Sequence, residues 1–143
     1  MSTSASTSTN RPVRLLGTIT LILGIIFVVA GGTAWGIVST KLASEEITVS
    51  EDARFFGGKK VRDPFTAYAQ ADIINKHALS ASDGKTYAEL EKDDPRRETV
   101  MNGSFLRASL FTSVVAFGVS ALVIGVGVVF ALIGFALRKL GSE

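Results

Sequence analysis

Two long apolar blocks dominate the pattern of the chain, with polar stretches before, between and after them. From Leu15 to Thr40 there is no charged residue over 26 positions, and from Ala108 to Leu137 none over 30. About 20 apolar residues in helical conformation cross a hydrocarbon core ~30 Å thick. One charge at mid-depth costs about 2.5–3.5 kcal/mol on insertion scales, so charge-free runs of this length are informative. The pattern predicts two transmembrane helices, residues 13–39 and 108–137. The first block exceeds the ~7–15 apolar residues of a signal peptide, and "VSTKLAS" is a poor cleavage site, so it reads as an uncleaved span.

The polar stretches have their own punctuation. "MSTSASTSTN" is rich in Ser and Thr and has too little apolar surface to order itself, so residues 1–12 read as a disordered tail. In the segment 40–107, "SEDARFFGG" offers Ser50 as a helix N-cap and Gly57–Gly58 as a stop. "DPFTAYAQADIINKHALSA" offers Asp63 as N-cap with Pro64 at the first helical position. Thr86 and Glu89 have capping-box spacing. "DDP", from Asp93 to Pro95, ends that short helix and caps another that runs through Gly103 into the second span. "ITVS" is a candidate short strand.

Charge sets the expected orientation. Arg11 and Arg14 precede the first span, and Arg138 and Lys139 follow the second. Short Lys/Arg-bearing flanks mark the cytoplasmic side. Residues 41–107 hold 11 Lys/Arg and 12 Asp/Glu, nearly neutral, and are long enough to be translocated whatever their charge. Both tails, 1–12 and 138–143, are therefore expected in the cytoplasm and the middle segment outside a plasma membrane. Trp35 suits an interfacial anchor at the outer end of the first span. A net charge of +2 gives no basis for nucleic-acid binding. Without cysteine the chain has no disulfide, thiol chemistry or lipid-modified cysteine.

The spans carry glycines at intervals of seven, nearly two helical turns: Gly17, Gly24 and Gly31; Gly118 and Gly125; Gly127 and Gly134. Gly32 and Gly36 form a GxxxG, and Ala121 with Gly125 a small-xxx-small pair. Such stripes let helix backbones approach closely in lipid. They predict either a close antiparallel pair of the two spans or contact with a partner helix, in a homo-oligomer or a larger complex.

Several chemistries nearly appear and fail. "SDGKT" ends like a phosphate-binding loop, but Leu79 stands where the loop needs its first Gly, and a helix precedes it. The same stretch lacks the acids of a calcium loop. "NGS", Asn102 to Ser104, is a glycosylation sequon close to the membrane. His77, the one histidine, falls beside Thr66 and Gln70 on a helical wheel, on a polar arc. Ala67, Ala71, Ile74, Ala78 and Ala81 form the arc expected to pack inward. His77 therefore reads as a solvated side chain or a polar contact, with no metal or catalytic role.

The runs "ITVSEDARFFGGKKVRDPFTAYAQADIINKHAL", "GKTYAEL", "DDPRRETVM" and "SFLRASLFTSVVAFGVSALVIG" resemble a family of small actinobacterial membrane proteins, over roughly residues 13–140. The resemblance implies two transmembrane helices with an outer segment of this length, and no known mechanism. Many members carry the label aromatic ring-opening dioxygenase. Extradiol enzymes of that kind hold Fe(II) with two histidines and a carboxylate. One histidine per chain cannot form that triad, so the residues do not support the label.

The sequence thus predicts an all-α membrane protein, a two-helix transmembrane hairpin with a small helical extracytoplasmic segment. The expected role is an accessory or scaffolding subunit of the cell envelope, not an enzyme, with no cofactor, metal or nucleotide. Its partners would be the lipid bilayer and a protein or second copy met through the glycine-lined helices, with Phe55, Phe56, Phe65, Tyr68 and His77 as further candidate contacts. The alternative is an oligomeric pore or transport accessory, with Thr18, Thr20, Thr112, Ser113 and Ser120 as its polar wall.

Overall fold

The structure, a computed structural model, describes residues Asn10 to Ser142. Of the tail expected to be disordered, residues 1–12, the first nine lie outside that range, while Arg11 and Pro12 are already helical. Three α-helices follow one another: α1 Arg11–Ser44, α2 Pro64–Ala81 and α3 Arg96–Leu140. Both α1 and α3 are long and apolar enough to cross a membrane. At 1.5 Å per residue their 34 and 45 residues reach about 51 and 68 Å, beyond the two charge-free blocks. No proline interrupts α3 from Arg96 onward, so one helix runs from the polar segment through Gly103 into the apolar block.

The described residues form two compact units, up to 33 with 120 onward, and 34–119. In the first, α1 and α3 pack antiparallel along one glycine seam. A methyl group added to Gly17 would meet Gly134 O at 2.9 Å, one on Gly24 would meet Gly127 O at 2.6 Å, and one on Gly31 would meet Ser120 O at 2.9 Å. Each pair of positions sums to 151, so the seam keeps one register over three repeats of seven. Phe27 and Phe130 stack beside it, with ring centroids 5.9 Å apart.

The second unit holds the core. Leu42, Val49, Val61, Ala67, Ala71, Leu110 and Phe117 are buried together. Its α2 starts as the sequence predicts. Asp63 Oδ1 accepts from Phe65 N and Thr66 N, both at 3.0 Å, and the Thr66 hydroxyl accepts from Asp63 N, completing a capping box after which Pro64 opens the helix. Such a cap contributes about 0.5–2 kcal/mol. At the other end Asp83 takes a left-handed φ of 56° and Gly84 N donates to Leu79 O at 2.7 Å. This is a Schellman closure, so the Gly of "SDGKT" serves to end a helix.

Four expectations are corrected. No helix forms after Ser50. Residues 51–58 are turns, because Thr48 and Lys60 pair in an antiparallel bridge and Val49 N donates to Lys59 O at 2.9 Å. That pairing returns the chain beside itself, which a helical segment of nine residues cannot do. "ITVS" supplies this one bridge and no strand. At Thr86 the chain makes one turn rather than a helix. Glu89 reaches back to Thr86 N at 2.8 Å as a capping box would, but Arg97 Nη1 takes the Leu90 and Tyr87 carbonyls at 2.6 and 3.2 Å, groups a continuing helix would use. Finally, the inward arc of α2 is rotated. Thr66, Gln70 and Ile73 are buried with Ala67 and Ala71, whereas Ala81 is exposed. Gln70 is buried because its Oε1 accepts from Ser50 N at 3.0 Å, which satisfies a backbone donor of the 47–61 loop.

Candidate functional site

The surface of the second unit carries a group of aromatic side chains around a hollow. Phe55 and Phe56 come from the loop and Phe65 and Tyr68 from the first turns of α2. With Arg54 and Asp72 they wall a hollow of about 350 Å³. Phe65 is 70% exposed and Phe55 61%, an arrangement that leaves much apolar surface uncovered. The sequence brings them together through the left-handed Phe56, φ 63°, followed by Gly58 at φ 72°, which reverse the loop. A bulky residue in that region is an outlier of backbone geometry, held by the loop's own bonds, among them Gly58 N to Val49 O at 2.8 Å. The Arg54 guanidinium lies 5.3 Å from the Phe55 ring centroid and the Lys59 ammonium 5.4 Å from that of Phe56. Each cation sits within reach of the negative face of its ring. Tyr68 meets Phe111 edge to face at 5.8 Å, and Arg107 stands 5.3 Å from the same Phe111 ring.

His77 lies apart from that hollow and exposed, as the polar arc predicts. It is not unpartnered: Nε2 donates to Asp52 Oδ2 at 2.7 Å. This bond holds the Asp52 carboxyl below its ordinary range. A pair with both side chains more than half exposed tethers the loop to α2 and is worth little on its own. Among the described residues, no three His, Cys, Asp or Glu side chains converge as a metal site would require.

A tighter polar cluster, one whose full extent the sequence did not indicate, joins the end of α2 to the start of α3. Asp94 caps α3 by accepting from Arg96 N at 2.9 Å, and its carboxylate takes a fork of bonds from the Arg96 side chain, Nη2 to Oδ2 at 2.7 Å. Arg96 Nη1 also donates to Asp83 Oδ2 at 2.6 Å. Arg97 lies over the Tyr87 ring at 4.0 Å. The Arg96 bonds bring the Asp94 carboxyl from its ordinary 3.8 down to about 2. A lowered carboxyl contributes stability that is fully present above 3.8 and is lost as pH falls through about 2. We expect the amide protection of Arg96 to fall in that window, and the Asp94→Asn variant to lose this dependence. Amide exchange by NMR on the full chain checks it.

The glycines divide into two groups. Gly17, Gly24, Gly31, Gly127 and Gly134 line the seam of the first unit, whereas a methyl group on Gly32, Gly36, Gly118 or Gly125 would meet nothing within 4 Å. Ala121 is likewise exposed. Ser120, read from the sequence only as a polar wall, occupies the seam in phase with Gly127 and Gly134, seven and fourteen residues on. The hydroxyls of Thr18, Thr20, Thr112 and Ser113 each donate to the carbonyl four residues back on their own helix, at 2.9, 2.9, 2.9 and 3.2 Å. Such back-bonded hydroxyls offer little donor capacity to a permeating solute. Arg11, Arg14, Arg138 and Lys139 are all exposed in the first and last turns of their helices, and Trp35 is half-buried, its ring 4.7 Å from that of Phe117. Asn102 lies inside α3, where Ser104 Oγ donates to Val100 O at 2.9 Å, so the sequon is helical rather than part of a loop.

The chain matches no protein-family model, no curated protein and no solved structure.

Proposed function

We propose that the chain is an integral membrane protein of the cell envelope, with both termini in the cytoplasm and residues 41–107 outside. In this reading the outer segment acts as the interaction module of an accessory or scaffolding subunit. The observation that carries the interaction role is the exposed aromatic hollow of Phe55, Phe56, Phe65 and Tyr68, walled also by Arg54 and Asp72. Aromatic residues with arginine at the rim are the composition enriched where proteins bind one another.

Membrane insertion is supported by the exposed apolar faces of both long helices, for example Leu15, Ile25 and Val29 on α1 and Leu122, Leu132 and Phe135 on α3. An apolar surface of that extent needs a lipid or protein cover. The orientation is supported by Arg11 and Arg14, which stand at the positive end of the α1 dipole. There they weaken the helix by some tenths of a kcal/mol, so their placement favours a topological role. The likeness to small actinobacterial two-helix membrane proteins suggests the same arrangement. We do not adopt the pore reading, since Thr18, Thr20, Thr112 and Ser113, four of the five hydroxyls proposed for its wall, donate to carbonyls of their own helices. The single histidine of the chain lends no support to the two-histidine iron site of ring-opening chemistry.

Photocrosslinking tests the module. A benzophenone amino acid at position 55, 65 or 68 of the full chain in native membranes should give one adduct of defined mass. The same probe at the exposed Glu91 should give none. Equal, diffuse labelling from all four positions would remove the proposal.

A further inference from the structure

A second cavity of about 540 Å³ lies in the 34–119 unit, away from the aromatic hollow, and its size falls within the ~300–1,000 Å³ typical of small-ligand sites. Its walls are the outer turns of α1 and α3: Ile37 and Val38 on one side, Leu110, Thr112 and Ala116 on the other. Ile47 of the loop and Ile74 of α2 add to its apolar lining. Ile37 and Leu106 are more than half exposed, so the cleft is open along its flank.

Three observations define what fits. First, the lower wall belongs to the charge-free blocks, which end at Thr40 on α1 and begin at Ala108 on α3, while Lys41 and Glu45 stand at the mouth. Given the membrane reading proposed above, on which this inference rests, the cleft straddles the boundary between hydrocarbon and water. Second, two of the three hydroxyls that line it ask nothing of an occupant, since Thr112 and Ser113 donate to Ala108 O and Ser109 O, and the rest of the lining is mostly aliphatic. The cleft therefore suits an alkyl chain and offers a polar solute little. Third, among the described residues neither the Lys41 ammonium nor the Glu45 carboxylate takes part in an ion pair. Both line the cleft, Lys41 in the last turn of α1 and Glu45 in the turn that follows it, so one cation and one anion border the same opening. A headgroup with a phosphate and an ammonium matches both, whereas a purely anionic one meets repulsion from Glu45.

We propose that this cleft is a binding site for one acyl chain of a zwitterionic phospholipid, with its phosphate against Lys41 and its ammonium against Glu45.

The full chain in nanodiscs of equal phosphatidylethanolamine and phosphatidylglycerol, each in turn carrying a tail diazirine, provides the test. Irradiation and peptide mapping should place phosphatidylethanolamine adducts within residues 37–42 and 106–116. Ser113→Phe and Ala116→Leu, which fill the cleft, should each abolish them while helix content and Trp35 emission stay unchanged. Glu45→Lys should shift headgroup preference toward phosphatidylglycerol by at least about fivefold, the factor one basic residue near a membrane surface is worth. Adducts spread evenly over outward positions such as Leu122 and Leu132, or labelling unaffected by both filling variants, would overturn the site. Alkaline carbonate extraction is run in parallel. Release of the chain from membranes would overturn the spans themselves, and retention without cleft labelling would overturn only the lipid site.

Discussion

Replacing Gly24 with alanine is expected to separate α1 from α3 along their glycine seam. The added methyl carbon would stand 2.5 Å from Ala131 N and 2.6 Å from Gly127 O, and both are backbone atoms. No side-chain rotation relieves such a contact, so a helix must move. Gly127→Ala meets the reciprocal obstacle, Gly24 O at 2.7 Å and Val28 N at 2.8 Å. Overpacking typically costs about 1–3 kcal/mol, and a clash with fixed backbone belongs at the upper end. Between helices in lipid, close packing is itself the main attraction, so losing it is not offset by any hydrophobic drive to re-associate. The comparison that isolates the effect is Gly32→Ala and Gly125→Ala. Both glycines face open space, and alanine gains up to about 1 kcal/mol of helix propensity over glycine there. Spin labels at the exposed positions Leu23 and Val129 read the separation. It should lengthen and broaden in Gly24→Ala and Gly127→Ala and stay unchanged in the two outward variants. Equal behaviour of all four would mean that the seam does not hold the helices together.

The same glycines show where the sequence is informative and where it stops. The interval of seven is visible in one chain, because helix geometry alone puts positions 17, 24 and 31 on one stripe. Which stripe of the second helix answers it is not visible. Gly118 with Gly125 and Gly127 with Gly134 have identical spacing, and only the register between helices selects the latter pair. Ser120 belongs to the selected stripe, and its packing role is not legible from the sequence because a serine serves equally as a small packing residue or a polar one. The α2 cap was legible for the opposite reason: Asp63, Pro64 and Thr66 act within four residues of one another. Burial of Gln70 was not, since its partner is the backbone of Ser50, 20 residues away. His77 follows the same rule. Its exposure could be read from its neighbours on the wheel, while its bond to Asp52 depends on a loop reversal 25 residues earlier. The aromatic residues of the surface hollow were visible individually, and their convergence rests on the left-handed turn at Phe56. The Asp63 cap and the seven-residue interval were therefore recoverable, whereas the helix cues at Ser50 and Thr86, the inward arc of α2 and the contacts set by the path of the 45–62 loop were not.

Phe117→Ala is expected to be the most damaging substitution in the 34–119 unit. Phe117 is the largest of its fully buried side chains, at 0% exposure, and its ring meets Trp35 edge to face at 4.7 Å. In a water-soluble core, Phe→Ala costs about 3–5 kcal/mol through lost transfer energy and the cavity left behind. Phe117 lies in a charge-free block, and lipid tails are as apolar as its ring, so in a bilayer the transfer share shrinks and the packing share remains. That places the expected loss near 3 kcal/mol, including the roughly 0.5–1.5 kcal/mol of the aromatic pair. Trp35 is the one tryptophan of the chain, so its emission reports this site without added probes. Phe117→Ala should shift that emission and lower the unfolding midpoint in mixed micelles. Phe117→Leu, which keeps most of the volume, should lose less than about 1.5 kcal/mol. The fully exposed-side comparison is Phe135→Ala, 66% exposed on the same helix, where little change is expected. If Phe117→Ala and Phe135→Ala proved equally mild, the buried ring would not be what anchors α3 to the Trp35 face of α1 within this unit.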